Sequence, residues 1–518
     1  MKTKKLIVLF ILFTTAVMSS CSEKELDRVN FDKNHPHEVL AKYILTDAIT
    51  ASAFTVTGGD IAFYSSVYVE HETGVHNQLY NAEIRSGEPT QSTTYNNVWG
   101  GIYANIRKLK TIIEKTSQGG SEEGNDVTHG IANVLLAYNL GVLTDFFGDV
   151  PFSESGVFNE NGTPKFMQPK IDKQSELYTQ LQKILDEAIT LLAGSDKAAS
   201  GPVGTNDLIY NGNKTLWLKA ANGLKARYLM HTLAKSTDKN GDLAKIISYA
   251  DKSFKSPTEE LSFKIYDGTA NQNPLYAFSN SRDALGASKS LLEKFKSLND
   301  PRGEKAFMDY DFEQLSLEDA LDEAAPNGTP IQQQYVYPIS MAEYAATAPT
   351  LLLSYHEVMF LKAEAQARLN NKDGARESLQ KAIVAAFANL QRSLNSTKDY
   401  FQLSADTDLS SEVANEYFDN SVLARFDANP LKEVMLQKYL AFYGASGEST
   451  EAFNDIRRGM ALSENFVELA NPLNKQNKFP LRFPYGNDDV SANLNIKEAY
   501  GNGSYVYTEN VWWAGGSR

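Results

Sequence analysis

Cys21 carries the most definite chemistry in this chain, because it is the single cysteine among 518 residues and its setting is specific. It follows MKTKKLIVLFILFTTAVMSS, where Lys2, Lys4 and Lys5 precede an apolar run over 6–17 broken by Thr14 and Thr15. Small Ser19 and Ser20 stand just before the cysteine. Charge, apolar stretch and small residues in that order make a secretory signal with its cleavage site. The run is too short to span a bilayer comfortably as a helix. The expected division is a signal peptide over 1–20, with the Cys21 thiol opening the mature chain. A lone cysteine allows no intramolecular disulfide, so packing must supply the stability.

The next candidates are side chains in segments rich in Gly, Asn, Pro, Ser, Thr and Tyr. Tyr64, Tyr68, His76, Tyr80 and Asn81 fall within FYSSVYVEHETGVHNQLYNAE. Asn273, Tyr276 and Arg282 fall within NQNPLYAFSNSRD, and Tyr344 within SMAEYAATAP. Loops on a rigid frame are where binding residues concentrate, so position and side-chain type make these nine the candidate ligand contacts. The competing account of each is packing or a satisfied surface hydrogen bond. Trp512 and Trp513 are read as closing the C-terminus, and Arg457 and Arg458 as following a helix that they cap or join to carboxylates.

Catalytic signatures are missing from the sequence. Gly212-Asn213-Lys214-Thr215 lacks the upstream glycine of a phosphate loop, and no nucleophile elbow is present. In HETGVH the histidines, His71 and His76, are five apart, whereas a zinc helix needs four to share a face. His356-Glu357 has no second histidine nearby. In DKNGD, over 238–242, the glycine is misplaced for a calcium loop, so a solvated turn is expected. A glycosidase needs two carboxylates across a cleft, and nothing marks such a pair. No catalytic residue, metal or cofactor is expected.

The elements that must carry these groups are mostly helices. Tyr95, Trp99, Ile102, Tyr103, Ile106, Leu109 and Ile113 step by threes and fours. So do Leu177, Leu181, Ile184, Leu185, Ala188, Leu191 and Leu192, with Asp172 and Ser175 upstream as expected caps. Ala132, Leu135, Leu136, Asn139 and Leu140 mark a helix stopped near Gly148 and Pro151. Leu216, Ala220, Gly223, Leu224 and Arg227 mark another. Over 354–387, two apolar stripes flank the turn NNKDG, and small alanines on both predict a close helix hairpin of tetratricopeptide type.

The expected fold is mainly α: superhelical tetratricopeptide-like helix pairs over about 38–260 and 350–460, with loop-rich insertions at about 58–91, 263–350 and 462–518. The insertions would form a second, ligand-facing half of a single body over 31–518, after a tether over 21–30. Hydrophobic content of 42% and charged content of 22% suit such a globular body. The formal net charge is −14, and losing the three leader lysines takes it to −17. That surface is poorly suited to nucleic acid, which needs a basic footprint.

Cys21 and the residues before it resemble the lipobox of bacterial lipoproteins, with Met18 in place of the usual Leu. The acidic stretch Ser22-Glu23-Lys24-Glu25-Leu26-Asp27 resembles a surface-export signal of Bacteroidetes lipoproteins, with a generic charged linker as the alternative. Six further stretches resemble the SusD/RagB family, in family order: YNNVWGGIYANIRKLKTI, YNLGVLTDFFGDVPFSES, LNDPRGEKAF, EVMFLKAEAQARL, QKYLAFYGASGESTEAFNDIRRG and FPLRFPYGNDDVSANLN. Phe453 stands where many members carry Trp. The resemblance implies a non-catalytic outer-membrane lipoprotein, anchored through Cys21 and facing the cell exterior. Its implied partner is a TonB-dependent transporter (SusC/RagA-like), to which it delivers a captured glycan. A peptide ligand, or a purely structural helical-repeat interaction protein, are the alternatives. Glycan capture favours aromatic faces for sugar rings and amide or charged groups for hydroxyls.

Overall fold

The stripes of threes and fours become helices throughout 41–518. The computed structural model describes residues 39–159, 163–444 and 446–518; Cys21, the leader 1–20 and the tether 21–30 lie outside the described residues. The main helices are α1 (Ala41–Ala51), α2 (Asp60–Tyr68), α3 (Asn96–Thr116), α4 (Asp126–Phe147), α5 (Gln174–Leu191) and α6 (Lys214–His231). They continue with α7 (Lys239–Lys252), α8 (Tyr355–Arg368), α9 (Lys372–Phe401), α10 (Pro430–Ala441) and α11 (Ser449–Ala461). From α3 to α9 each helix packs on the next in chain order, which is the superhelix of pairs that the periodicity predicts. Helix α4 is apolar and long enough to cross a membrane, yet that stretch is wholly enclosed by the fold, so it is the core helix of the stack.

Close approach is written into small residues. Ala363, Ala365, Ala375, Ala382 and Ala386 are buried on α8 and α9. Asn370, at φ 58°, makes the turn between them, and Asn371 Oδ1 caps α9 by accepting from Gly374 N at 3.1 Å. Gly141 on α4 faces Tyr228 on α6, and a Cβ there would meet the phenol oxygen at 2.2 Å. Substitution would therefore push the two helices apart.

The three insertions are not free loops. They contain short helices, including Asn77–Glu83, Pro274–Arg282 and Leu494–Tyr500, and they bond to one another. Glu72–Gly74 pairs antiparallel with Leu285–Ala287, joining the first insertion to the second. Arg85 Nε donates to Lys478 O at 3.1 Å, and Glu70 accepts from the backbone N–H groups of Ala470 and Asn471 at 2.7 Å, joining the first to the third. Glu83 Oε1 accepts from Gly328 N and from Asn471 Nδ2, so one buried carboxylate ties all three. Backbone groups with no regular ladder to join are thereby satisfied.

Several expectations need correction. Tyr64 and Tyr68 lie on α2 rather than in a loop, because the apolar residues around them supply a buried helix. Asp172 and Ser175 do not cap α5. Asp172 accepts from Phe152 N and Ser153 N, and Asp149 instead receives Gln174 N at 2.8 Å. Arg457 and Arg458 sit inside α11, fully buried, rather than after a helix. Asp238 is the N-cap of α7, accepting from Gly241 N at 3.0 Å, which gives DKNGD a local structural use.

Candidate functional site

The most unusual surface lies where the second insertion meets the end of α9. Asn273 starts the helix Pro274–Arg282, its Oδ1 accepting from Leu275 N at 2.8 Å, with Pro274 preset for the first turn. The helix ends at Asp283 in the left-handed region, φ 43°. That turn sets the carboxylate between two phenols: Oδ2 accepts from Tyr335 at 2.9 Å and Oδ1 from Tyr344 at 2.8 Å. The Tyr335 ring stands edge-on to Tyr310, 4.8 Å between centroids and 83° between planes. Phe312 stacks on Phe401 at 4.6 Å, and Tyr344, Tyr276 and Tyr400 pack around Phe401.

Backbone strain is concentrated here. Among the described residues, the only aromatic side chains with positive φ are Phe312, at 62°, and Tyr335, at 61°. A bulky side chain in that region costs roughly 1–3 kcal/mol and persists only where surrounding contacts hold it, commonly at functional sites. The reward is presentation: Tyr335 keeps 61% of its surface exposed while its hydroxyl is fixed by Asp283. Ile331 and Val336 beside it are also exposed. The Arg282 guanidinium is exposed with no partner among the described residues, while its carbonyl accepts from Gln334 Nε2 at 2.8 Å. A rigid exposed ring held by a carboxylate, with an unpaired arginine next to that carboxylate in the chain, can stack a flat apolar face and bond the hydroxyls around it.

Beneath this surface lies a pair of acids. Glu72, almost fully buried on the ladder strand, and Glu343, just before Tyr344, line a small cavity together with Asp283 and Ser279. Burial pushes Glu343 up to about 7, opposed by the Ser279 hydroxyl in the same cavity. Burial, reinforced by the Glu343 charge, pushes Glu72 well above the usual carboxylate range. Two acids this close share protons more readily than they share negative charge.

Of the nine expected contacts, this site brings together Tyr276, Arg282 and Tyr344, and among these Arg282 alone is exposed. Asn273 is buried and structural, its Nδ2 donating to Ala348 O and Ser446 Oγ. Tyr64 and Tyr68 are buried elsewhere: Tyr64 donates to Glu88 at 3.1 Å, and the Tyr68 and Tyr95 hydroxyls share a bond of 2.9 Å. Half-buried His76 follows Val75, whose N–H donates to Ala284 O at 2.9 Å, so it approaches along the ladder. Tyr80 and Asn81 are half-buried on the short helix Asn77–Glu83, and Asn81 Oδ1 accepts from Ser86 Oγ. Asp283, Tyr310, Phe312, Tyr335 and Phe401 were not singled out in the sequence. The signal for Tyr335 was IQQQYVYP, an aromatic pair embedded in polar residues within an insertion.

The buried polar clusters have another use. Asp145, His231 and Glu451 lie close enough to surround an ion, but their atoms are taken. His231 Nε2 meets Glu451 at 2.9 Å and Nδ1 meets Asp145 at 3.3 Å, while Asp145 also accepts from Tyr178 and from Trp513 Nε1. Burial alone would lower the imidazole, but the two carboxylates push it up to about 9, so it is the cation of the cluster. Trp513, buried against His231, thus ties the C-terminus to the frame. Arg458 donates twice to Glu364 and once to Asp455, Arg302 pairs with Asp300, and Arg482 donates to Phe147 O and Tyr485 Oη. These charged residues come from the sequence stretches singled out above, and each of them is a structural lock.

A family model described as starch-binding, associating with outer membrane (SusD-like), matches residues 35–485. The fold is similar to a SusD/RagB family protein from Bacteroides thetaiotaomicron, with 47% identity, TM-score 0.87, and coverage of 93% of this chain and 100% of that one. It is also similar to a SusD homologue from Bacteroides fragilis, with 18% identity, TM-score 0.69, and coverage of 93% and 100%. A chitin-binding SusD homologue from Flavobacterium johnsoniae shares the fold at 18% identity and TM-score 0.65, with coverage of 91% and 98%. A search of curated proteins gives no match. With the family model spanning most of the sequence and the same superhelix of helix pairs underneath, the chain belongs to the SusD-like family.

Proposed function

We propose that this protein is a non-catalytic surface lipoprotein of the outer membrane that captures a glycan at the Tyr335–Asp283–Arg282 face. It would be anchored by acyl chains on Cys21 and would pass its ligand to a TonB-dependent transporter. The observation that carries the ligand site is the strained, exposed Tyr335 ring, held by Asp283 beside an unpaired Arg282. Sugar rings present C–H faces that stack on such a ring, and their hydroxyls accept from a guanidinium and donate to a carboxylate. Family membership supports nutrient binding at the outer membrane. Several acyl chains on Cys21 suit a lasting anchor, because a single chain binds a bilayer only marginally.

The test is calorimetry on the mature chain lacking Cys21, against oligosaccharides of starch and chitin, other glycans and short peptides, with mass analysis of the ligand afterwards. Saturable binding of an oligosaccharide that is recovered intact is the expected result. Tyr335→Ala should weaken it roughly tenfold or more, since an exposed aromatic anchor dominates such sites. Arg282→Ala should weaken it less. Binding of peptides alone would replace the ligand class, and a cleaved ligand would overturn the non-catalytic reading. Release of a Cys21→Ser protein from membranes checks the anchor.

A further inference from the structure

A second cavity lies away from the aromatic face, lined by none of its residues. It holds about 500 Å³ and opens beside the C-terminal end of α11, where 463–469 crosses after a left-handed turn at Ser463, φ 59°. Its walls are mainly apolar: Met435 from α10, Ile456 from α11, then Phe466, Val467, Leu469 and Phe479. A volume of that size with such walls suits a small molecule.

The polar groups on the cavity have an uneven balance. Its carboxylates are already paired: Asp455 with Arg458 and Lys438, both at 2.7 Å, and Glu464 with Arg368 at 2.7 Å. The last carbonyls of α11 are used by the turn itself, Gly459 O accepting from Glu464 N and Met460 O from Ser463 N. Exposed Ser463 and Asn465 on the rim offer both donors and acceptors, whereas the remaining unpaired charge and the buried groups without partners are donors. Arg458 is 1% exposed, and its Nε–H has no acceptor although both terminal nitrogens are bonded. Asn474 Nδ2 is buried without an acceptor. Lys475 is exposed and has no partner among the described residues. Buried donors without acceptors are uncommon in native proteins and call for a group that supplies one.

We propose that this cavity binds a small amphipathic carboxylate: an apolar body lies along Met435, Ile456, Phe466 and Phe479, and its anionic head meets Lys475, Arg458 Nε and Asn474 Nδ2. The apolar walls supply affinity through surface removed from water, and the unpaired cation with the two buried donors supplies the sign of the head group. This site is separate in residues from the aromatic face and stands whether or not that face binds glycan.

Decanoate, decanol and decyltrimethylammonium form a series with one apolar body and three head groups. Calorimetry on the mature chain lacking Cys21 should show saturable one-site binding of decanoate at millimolar concentration or below, weaker binding of decanol, and none of the cation. Lys475→Glu, an exposed position, should weaken decanoate roughly tenfold while leaving decanol unchanged. Tyr335→Ala should leave decanoate unchanged, so failure of the glycan reading and of this one are told apart. Equal binding of all three ligands, no saturable binding, or indifference to Lys475→Glu would each overturn the proposal.

Discussion

The meeting of α8 with α11 and the face around Asp283 are both built from charged and aromatic side chains, and they use them in opposite ways. At α8–α11, Glu364 accepts from Arg458 and from Arg368, Asp455 bridges Arg458 and Lys438, and Glu464 closes on Arg368. Every one of these charges has an opposite charge beside it, with Arg458 Nε–H the one donor left over, and the central ones are out of water. Around Asp283 the carboxylate holds two phenols in place, and the groups left over, the Tyr335 ring and the Arg282 guanidinium, face solvent. The first arrangement fixes a fold, because a buried charge tolerates only its own partner. The second leaves interactions unmade, which is what a binding surface requires.

Breaking the frame should produce the largest effect. Glu364→Ala leaves Arg458 and Arg368 without their shared carboxylate, and loss of one member of a buried pair costs about 3–5 kcal/mol. Urea denaturation should show this as a large drop in midpoint, whereas Tyr335→Ala should leave the midpoint nearly unchanged and weaken ligand binding roughly tenfold or more. If Glu364→Ala were as stable as the parent, the contrast between the two regions would fail.

Acidity sharpens the comparison next. His231 is raised from 6.5 to about 9 by Asp145 and Glu451 against the effect of burial. Its contribution is complete below pH 6.5 and is lost as pH rises through about 9, on the order of 3 kcal/mol in all. Melting temperature measured from pH 6 to 10 should fall across that window, and His231→Gln should flatten the slope.

Glu343 should act in a lower window and with the opposite sign of contribution, its shift being of the same size. Its folded value of about 7 lies above the ordinary 4.5, so ionising it destabilises the fold as pH rises from 4.5 to 7. Glu343→Gln should flatten that part of the curve and raise the melting temperature at pH 8. Because Glu343 precedes Tyr344 and lines the cavity with Asp283, the same variant tests whether the buried acids tune the ligand face above them.

The frame was far more legible in the sequence than the site. Trp99, Ile102, Ile106 and Leu109 are buried at helical spacing, and the break expected at NNKDG falls at Asn370 and Asn371, with Lys372, Asp373 and Gly374 already in the first turn of α9. Period and turn chemistry are local properties, so they survive in one dimension. The candidate site was legible only in part: Arg282 and Tyr344 belong to it, but Tyr64 and Tyr68 are core residues of α2. A tyrosine in a polar segment looks the same whether it turns inward or outward.

What the sequence determined by itself was the signal-like leader ending at a single cysteine, the acidic surface, the helical class and the resemblance carried by its charged stretches. Each depends on composition or on neighbours a few residues apart. The tertiary structure decided that Arg457, Arg458 and Arg482 are internal locks, that three distant insertions bond into one layer, and that Tyr335 is held outward by Asp283, 52 residues before it. Those outcomes depend on which groups meet across the chain, and whether a side chain is satisfied or left free is a property of its partners rather than of the residue itself.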